Sequence, residues 1–363
     1  MQDLKSLSLT QLGEELNQAG FPAFRATQIY HWLHVQMVQD VDEMTNIPKI
    51  LKEYLKRNYI LTKLKVADHQ VSHIDGTQKF LFALPDSEAV ESVFMKYHYG
   101  CSVCVSSQVG CRMGCTFCAS TLGGLVRGLL PGEMIEQVYS IERITGEKVS
   151  HVVIMGTGEP MDNYDNVVQF IRLLTDEQGH HLSARNVTIS TCGIVPRIYD
   201  FANENLPVTL SLSLHATTDE KRQKIMPIAK KYSIHDCVDA CRYYAEKTGR
   251  RITFEYSMIH GVNDGEDDAE QLSYLAKSAG SQRSKMKGKT GHLAPFAHVN
   301  LIPVNPVTER KYEEPDAAHI QAFSSLLEKN GIHVSIRRVL GRDIDGACGQ
   351  LRRRYLDQDT AGQ

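Results

Sequence analysis

No stretch of this 363-residue chain is apolar for long enough to span a bilayer, which sets aside a bundle of membrane helices. The opening Met1-Gln2-Asp3-Leu4-Lys5 lacks the charged-then-apolar pattern of an export signal, so a cytoplasmic location and no membrane partner are expected. Charge of one sign is short as well. Forty Lys and Arg stand against 43 Asp and Glu, leaving a net charge of −3. That excludes a globally basic nucleic-acid coat but not a local positive face, because phosphate contact is local. Low-complexity tracts are absent too. What remains is ordinary for a soluble enzyme, 42% hydrophobic and 23% charged.

Cysteine is not short. There are nine, an odd number, and five of them fall between positions 101 and 118. Without an export signal, such clustering points to a reducing compartment and to metal or redox chemistry, not to a disulfide scaffold. Three lie in Cys111-Arg-Met-Gly-Cys115-Thr-Phe-Cys118, spaced C-x3-C-x2-C. Three thiolates so placed can hold three irons of a cubane cluster and leave the fourth open to a non-protein ligand. A second reading is a four-thiolate zinc site from Cys101, Cys104, Cys115 and Cys118, since Cys101 and Cys104 form a C-x2-C pair. A third is a set of plain free thiols. Cys237 and Cys241 stand four apart on a helical stretch, a spacing that more often means core than metal.

The chain divides by pattern. Residues 1–62 read as a helical domain. Ser8 opens a first helix with Glu14 and Glu15 near its positive end, and Gly20 closes it. Phe24 to Leu33 gives a second helix with Trp32 in the core, and Pro48 starts a third. Lys49, Lys52, Lys56, Arg57, Lys63 and Lys65 face only Glu53 in that interval, which is either a solvated helix face or a phosphate-contacting one. Residues 63–98 read as a small β region with a turn at Asp75-Gly76. From 99 to 340 strands and helices alternate, beginning with the apolar run at His151-Val-Val-Ile-Met155, which suits a sheet covered on both faces. Further strands are expected near 186–190, 208–213, 251–256, 299–302 and 333–336, with helices near 166–174, 234–246, 268–279 and 317–329. That alternation implies an α/β fold, either a doubly wound sheet or a βα barrel. A polar, basic insert at 280–296 interrupts it. Residues 341–363 form a last segment with Cys348 between Gly346 and Gly349, and with Arg352, Arg353 and Arg354 just beyond.

Gly156-Thr-Gly158-Glu159-Pro160 after a strand is no dinucleotide fingerprint, because the further glycine and ribose-binding acid are missing. Ser190, Ser213, Leu214, His215 and Asn305 fall at expected strand ends. Taken singly, each polar one reads equally well as a hydrogen-bonded core residue.

Together these stretches resemble a known family. The cysteine spacing is that of radical S-adenosylmethionine (SAM) enzymes. Val90-Glu91-Ser92-Val93, Cys104-Val-Ser-Ser-Gln-Val-Gly-Cys111, Gly156 to Pro160, Ser213-Leu214-His215, Asn300 to Pro306 and Asp343 to Leu351 resemble the bacterial dual-specificity adenine-C2 RNA methyltransferases, over residues 5 to 355. The resemblance implies a partial (β/α)6 radical SAM barrel with an N-terminal helical accessory domain that helps hold RNA. It implies a 4Fe-4S cluster on Cys111, Cys115 and Cys118, and SAM held at Gly158, Glu159, Ser190, Ser213, Leu214, His215 and Asn305.

It also implies a route to a carbon too weakly nucleophilic to attack a methyl sulfonium. One SAM methylates Cys348 and a second supplies the radical, so two are used per turnover. The Cys348 methylene joins adenine C2, Glu91 takes the C2 proton, and Cys104 frees the product by forming a disulfide with Cys348. The implied substrates are 23S rRNA and tRNA, with an electron donor such as flavodoxin; a monomer is expected. Two positions depart from the family's habit: Thr157 stands where methionine is common, and Gly346 where alanine is common. Three alternatives remain: the related C8-adenosine methyltransferase, a radical SAM activase that would not need Cys348 or Cys104, and a zinc RNA-binding protein.

Overall fold

The computed structural model describes residues 1–280, 297–305, 310–338, 340–344 and 351. Ten strands make one sheet. They are β1 (Lys65–Val71), β2 (Gln78–Ala83), β3 (Ala89–Tyr97), β4 (Gly100–Cys104), β5 (Val149–Ile154), β6 (Val187–Thr191), β7 (Thr209–Ser213), β8 (Thr253–Met258), β9 (His298–Pro303) and β10 (Val334–Ile336). Spatial order follows chain order throughout. From β4 onward every pair is parallel, whereas β1 to β4 pair antiparallel. The expected α/β architecture is therefore present, with one difference. The stretch read as a separate small sheet extends the edge of the barrel sheet, because β3 continues directly into β4 through a tight turn.

Strand periodicity sorts the side chains onto two faces. Phe80, Phe82, Phe94, Val103, Val152, Ile189, Leu212 and Phe254 join the main core. Helices cover that face: α4 (Pro131–Thr145), α5 (Tyr164–Thr175), α6 (Val195–Ala202), α8 (Ile234–Thr248), α9 (Glu266–Ser278) and α10 (Ala317–Lys329), with the short α7 (Asp219–Ile225) between β7 and α8. Strand register places Lys79, Glu91, Cys104, Ser190, Ser213, Glu255 and Asn300 together on the opposite, inner face. The run around Val152 is thus not apolar because both faces are dry. Val152 and Ile154 are buried under helices, while Val153 is half-buried on the polar inner side.

The N-terminal helices α1 (Leu9–Gln18), α2 (Phe24–His34) and α3 (Lys49–Asn58) contribute Leu12, Leu16, Ile29, Leu33, Leu51 and Leu55 to the same core. The Lys5 ammonium locks the seam. It is fully buried and donates to Glu136 Oε2 on α4 at 2.5 Å and to the Thr62 carbonyl at 3.1 Å. Two local expectations are corrected. The partner of Ser8 in the α1 capping box is Gln11, and the first turn holds no acid, so Glu14 and Glu15 lie too far along to serve the helix start. The basic stretch is also less isolated than its own interval suggests. Asp42 pairs with Lys56 at 2.6 Å and Asp40 with Lys63 at 3.2 Å, both brought across from the segment before α3.

Candidate active site

A short hairpin follows β4. Gln108–Gly110 pairs with Leu125–Gly128, and the segment between them carries Cys111, Cys115 and Cys118. The hairpin closes through Gly110, whose φ is +76° and whose absent Cβ would lie 2.0 Å from the Gly124 carbonyl oxygen. The Cys111 N–H donates to that oxygen at 2.8 Å. Thr121 Oγ1 donates to the carbonyls of Cys115 and Cys118 at 3.1 and 2.9 Å. The Thr116 N–H reaches the Ile225 carbonyl at 2.9 Å, which ties the loop to the end of α7.

The donor set fits a cluster. Burial pushes the Cys111 thiol up to about 12 and the Cys115 thiol higher still, and the neighbouring cysteine charges add to both shifts. Thiols so raised keep their protons at neutral pH; a positively charged iron–sulfur core would stabilise their thiolates, and its binding would release those protons. The zinc arrangement fits less well. Cys101 lies at the start of β4 in the main core, with its Sγ toward Glu147 Oε2 at 4.0 Å. Among the described residues no group of three or more His, Cys, Asp or Glu side chains is close enough to share one metal ion. Cubane ligands bind separate irons and need no such convergence. Cys237 and Cys241 are fully buried on α8 and belong to the core.

Polar groups then follow one another along the carboxyl ends of the parallel strands. Gly158 lies in the loop after β5 at φ +112°, pressed so closely to Gln108 that a Cβ would stand 2.6 Å from its side chain. The Glu159 N–H donates to Gln108 Oε1 at 2.8 Å. Its carboxylate is buried and committed to the end of β6, accepting from Thr191 Oγ1 at 2.6 Å and the Cys192 N–H at 2.8 Å. Burial raises its pKa, and those hydrogen bonds oppose the rise. Ser190 and Ser213 hydroxyls meet at 3.1 Å across β6 and β7.

Leu214 is buried, and its N–H donates to the Glu255 carbonyl at 3.0 Å. His215 adopts φ +56°, in the left-handed region that is uncommon outside glycine but that histidine enters more often than most side chains. Its Nδ1 accepts from the Ser257 N–H at 2.9 Å, and its ring meets Phe117 of the cysteine loop edge-on with centroids 5.0 Å apart. Burial, helped by Arg222, pulls its pKa down to about 3, so at neutral pH the ring is uncharged and Nε2 carries the proton. Asn305 lies exposed two residues beyond β9.

On the inner face of the antiparallel strands stand Glu91 (β3) and Cys104 (β4), both buried. Cys104 is opposite Val93 in the β3–β4 ladder, two residues along from Glu91. Cys348 lies outside the described residues, as do Arg352 to Arg354 and the basic insert from 281 onward. The flanks of Cys348 are described. On one side, Ser72 Oγ and the His73 N–H donate to the Asp343 carboxylate at 2.6 and 2.7 Å, and the Gly341 N–H donates to Asp75 Oδ2 at 2.9 Å. On the other, Leu351 packs with Leu81 and Ala89. The first flank ends on the β1–β2 turn and the second on β2 and β3, where Leu81 is the ladder partner of Glu91, so both rest on the antiparallel strands that carry that carboxylate.

Three residues that sequence reasoning passed over belong to this region. Lys79 places its ammonium 3.1 Å from Glu91 Oε2. Arg222 is fully buried and spans the ends of β6 and β7. Glu255 is buried on the inner face, accepts from Asn300 Nδ2 at 2.8 Å and has its pKa raised by burial. A signal existed for Lys79 and Glu255, since each is a charged residue in an inner-face register inside an otherwise apolar strand. A cleft of about 700 Å³ lies elsewhere, lined by Tyr30, His34, Glu142 and His180, and includes none of the predicted site residues.

Comparison with known proteins adds to this geometry. The profile of the radical SAM superfamily matches residues 105–272, and that of the ribosomal RNA large subunit methyltransferase N-terminal domain matches residues 2–61. A probable dual-specificity RNA methyltransferase RlmN of Lachnospira eligens is 52% identical over 98% of this chain and 97% of its own. The protein of the same name from Lachnoclostridium phytofermentans is 52% identical over 98% and 96%. The crystal structure of a radical SAM methyltransferase from Sphaerobacter thermophilus superposes with a TM-score of 0.86 at 40% identity, covering 96% of this chain and 99% of that one.

Proposed function

This chain belongs to the RlmN family of radical SAM RNA methyltransferases, and from that premise we propose that it methylates C2 of one adenosine in the peptidyl transferase centre of 23S rRNA and of adenosine 37 in some tRNAs. The family brings a 4Fe-4S cluster and SAM, which when bound supply the one-electron chemistry that generates a carbon radical. Cys111, Cys115 and Cys118 would hold the cluster. Backbone at Gly158 and Glu159, the Ser190 and Ser213 hydroxyls, Leu214, the Nε2–H of His215 and Asn305 would orient SAM.

The remaining work falls to this chain's own side chains. Cys348 carries the methyl carbon to the base. Glu91 accepts the proton that leaves C2, and the Cys104 thiolate attacks the Cys348 sulfur, forming a disulfide as the carbon–sulfur bond breaks; the electron pair leaves with the methylene carbon, which takes a proton to become the product's methyl group. Two SAM molecules are consumed per turnover, one as methyl donor and one as radical source. A single-electron donor such as flavodoxin supplies the reducing equivalent, and the enzyme works as a monomer. Among the described residues no helix is long and apolar enough to cross a membrane. A target adenine reaches such an inner face only by leaving its stack, at a cost of a few kcal/mol, least in loops and bulges.

The observation that carries this reading is the convergence on the antiparallel strands β1 to β4. Glu91 on β3, Cys104 on β4 and the two segments that bracket Cys348, one at the β1–β2 turn and one on β2 and β3, all lie there. The first prediction follows. The Cys348→Ala variant of the anaerobically reconstituted enzyme binds iron as the parent does and yields no methylated RNA. Mass spectrometry of the parent's product, with the methyl position resolved, gives 2-methyladenosine. An 8-methyl product assigns the chain to the C8 reaction, and full methylation by the alanine variant removes the thiol from the mechanism.

A further inference from the structure

Glu91 does not enter the inner face alone. The Lys79 ammonium lies 3.1 Å from its Oε2, and the two side chains are 0% and 4% exposed. The pair is set by register. Leu81 faces Glu91 and Lys79 faces Val93, so Lys79 reaches diagonally across β2 and β3 to the carboxylate. Its chain neighbours Phe80, Leu81 and Phe82 are fully buried, and a lysine in such a strand is not there for solvation.

We propose that Lys79 is a positioning residue for the methyl-transfer reaction, holding the Glu91 carboxylate charged and aimed at the proton that leaves the adenine carbon.

The fold gives little reason for the pair otherwise. Two desolvated charges cost several kcal/mol each before they attract, and well-packed apolar residues in their place are often neutral or stabilising. A base gives a better reason. A carboxylate moved out of water without an opposite charge takes up a proton and can accept no other. The location suits that task, because Cys104 shares the face one strand away and Leu351 rests on Leu81. In the step itself the C2–H bond breaks, the proton goes to a Glu91 carboxylate oxygen, and the electron pair stays with the ring. Lys79 keeps its own proton throughout. The inference rests on the reading of Glu91 as the base, and the test separates the two.

The second prediction compares full-length, reconstituted Lys79→Met, Lys79→Arg and Glu91→Gln with the parent. Four quantities are read: methyl on Cys348, SAM cleavage on reduction, RNA–protein covalent adduct on denaturing gels, and released methylated RNA. Lys79→Met is expected to load the methyl and cleave SAM as the parent does. It then accumulates adduct and releases product on the order of 10²-fold more slowly. Lys79→Arg restores release to within about tenfold of the parent, because the cation is kept. Adduct accumulation in Glu91→Gln but not in Lys79→Met overturns the role of Lys79 alone. No adduct in Glu91→Gln overturns the base assignment. Should Lys79→Met not fold, Lys79→Arg and Lys79→Gln decide, and equal release rates in both variants overturn the proposal.

Discussion

Arg222 shows how one side chain can organise the carboxyl ends of several strands. Its Nη2 donates to the carbonyls of Cys192 and Ser213 at 2.7 and 3.1 Å, and its Nε donates to Leu214 at 3.0 Å. These carbonyls belong to the ends of β6 and β7, where strand pairing has run out and the backbone must turn toward the site. A planar fork of donors meets them; a lysine ammonium has neither the reach to three directions nor the shape. Its charge also lowers the pKa of His215 and works against the rise at Cys115. The third prediction is that Arg222→Met loses about 3 kcal/mol or more in chemical denaturation, since buried carbonyls left unpaired cost about 1–3 kcal/mol each. Arg222→Lys recovers less than half of that loss. A methionine variant as stable as the parent means that the carbonyls find other donors and that Arg222 does not brace the strand ends.

At the scale of elements, alternation was legible where helices α5, α8, α9 and α10 show apolar residues at helical spacing and the parallel strands short apolar runs. Helices α4 (Pro131–Thr145) and α6 (Val195–Ala202) were not among those expected. The expected helix at Ala317–Lys329 is found with those bounds. What could not be read was pairing. Nothing local in Lys65–Val71 or Gln78–Ala83 says that they extend the barrel sheet, because antiparallel register is set by the partner strand. The same gap hid Lys79, whose partner lies twelve residues on and one strand over. Short elements were missed too. The seven-residue α7 is held at its start by Thr218, which caps the Lys221 N–H, and too few residues repeat for periodicity to show.

Loops that need glycine were legible only as punctuation, and the structure separates two kinds. Gly124 and Gly158 both have positive φ, +66° and +112°. A Cβ at Gly124 meets nothing within 4 Å, whereas one at Gly158 stands 2.6 Å from Gln108 Cβ and 2.8 Å from its backbone nitrogen. The fourth prediction is a contrast between them. Gly124→Ala costs about 1 kcal/mol, the backbone penalty alone. Gly158→Ala costs more, about 2–3 kcal/mol, and weakens SAM binding measured by calorimetry, since the loop after β5 must move off Gln108. Equal losses of stability in both variants would show that the close approach to Gln108 relaxes freely.

For the whole molecule, the question is whether the N-terminal helices and the barrel unfold together. Their shared core and the buried Lys5–Glu136 pair argue for one cooperative unit, and His34 offers a way to probe it. His34 is buried where α2 meets α4, with Nδ1 3.0 Å from the Tyr139 hydroxyl. Burial, with smaller contributions from Lys5 and His180, pulls its pKa down from 6.5 to about 3. His298, on β9, is pulled down to about 4, again chiefly by burial. A depressed histidine binds fewer protons folded than unfolded between those values, so stability rises with pH across that window. It is fully present above about pH 6.5 and drains away as pH falls toward 3, by up to about 1.4 kcal/mol per pH unit for each histidine. The fifth prediction sets the parent beside His34→Gln, with urea denaturation at steps between pH 7 and 4. The parent loses stability about 1 kcal/mol per pH unit faster than the variant. In both, fluorescence of Trp32 in α2 and far-ultraviolet circular dichroism of the whole chain report the same midpoint. Parallel slopes would mean that His34 becomes charged in the folded state through local opening, and a Trp32 midpoint at lower urea would show the N-terminal helices leaving the barrel first.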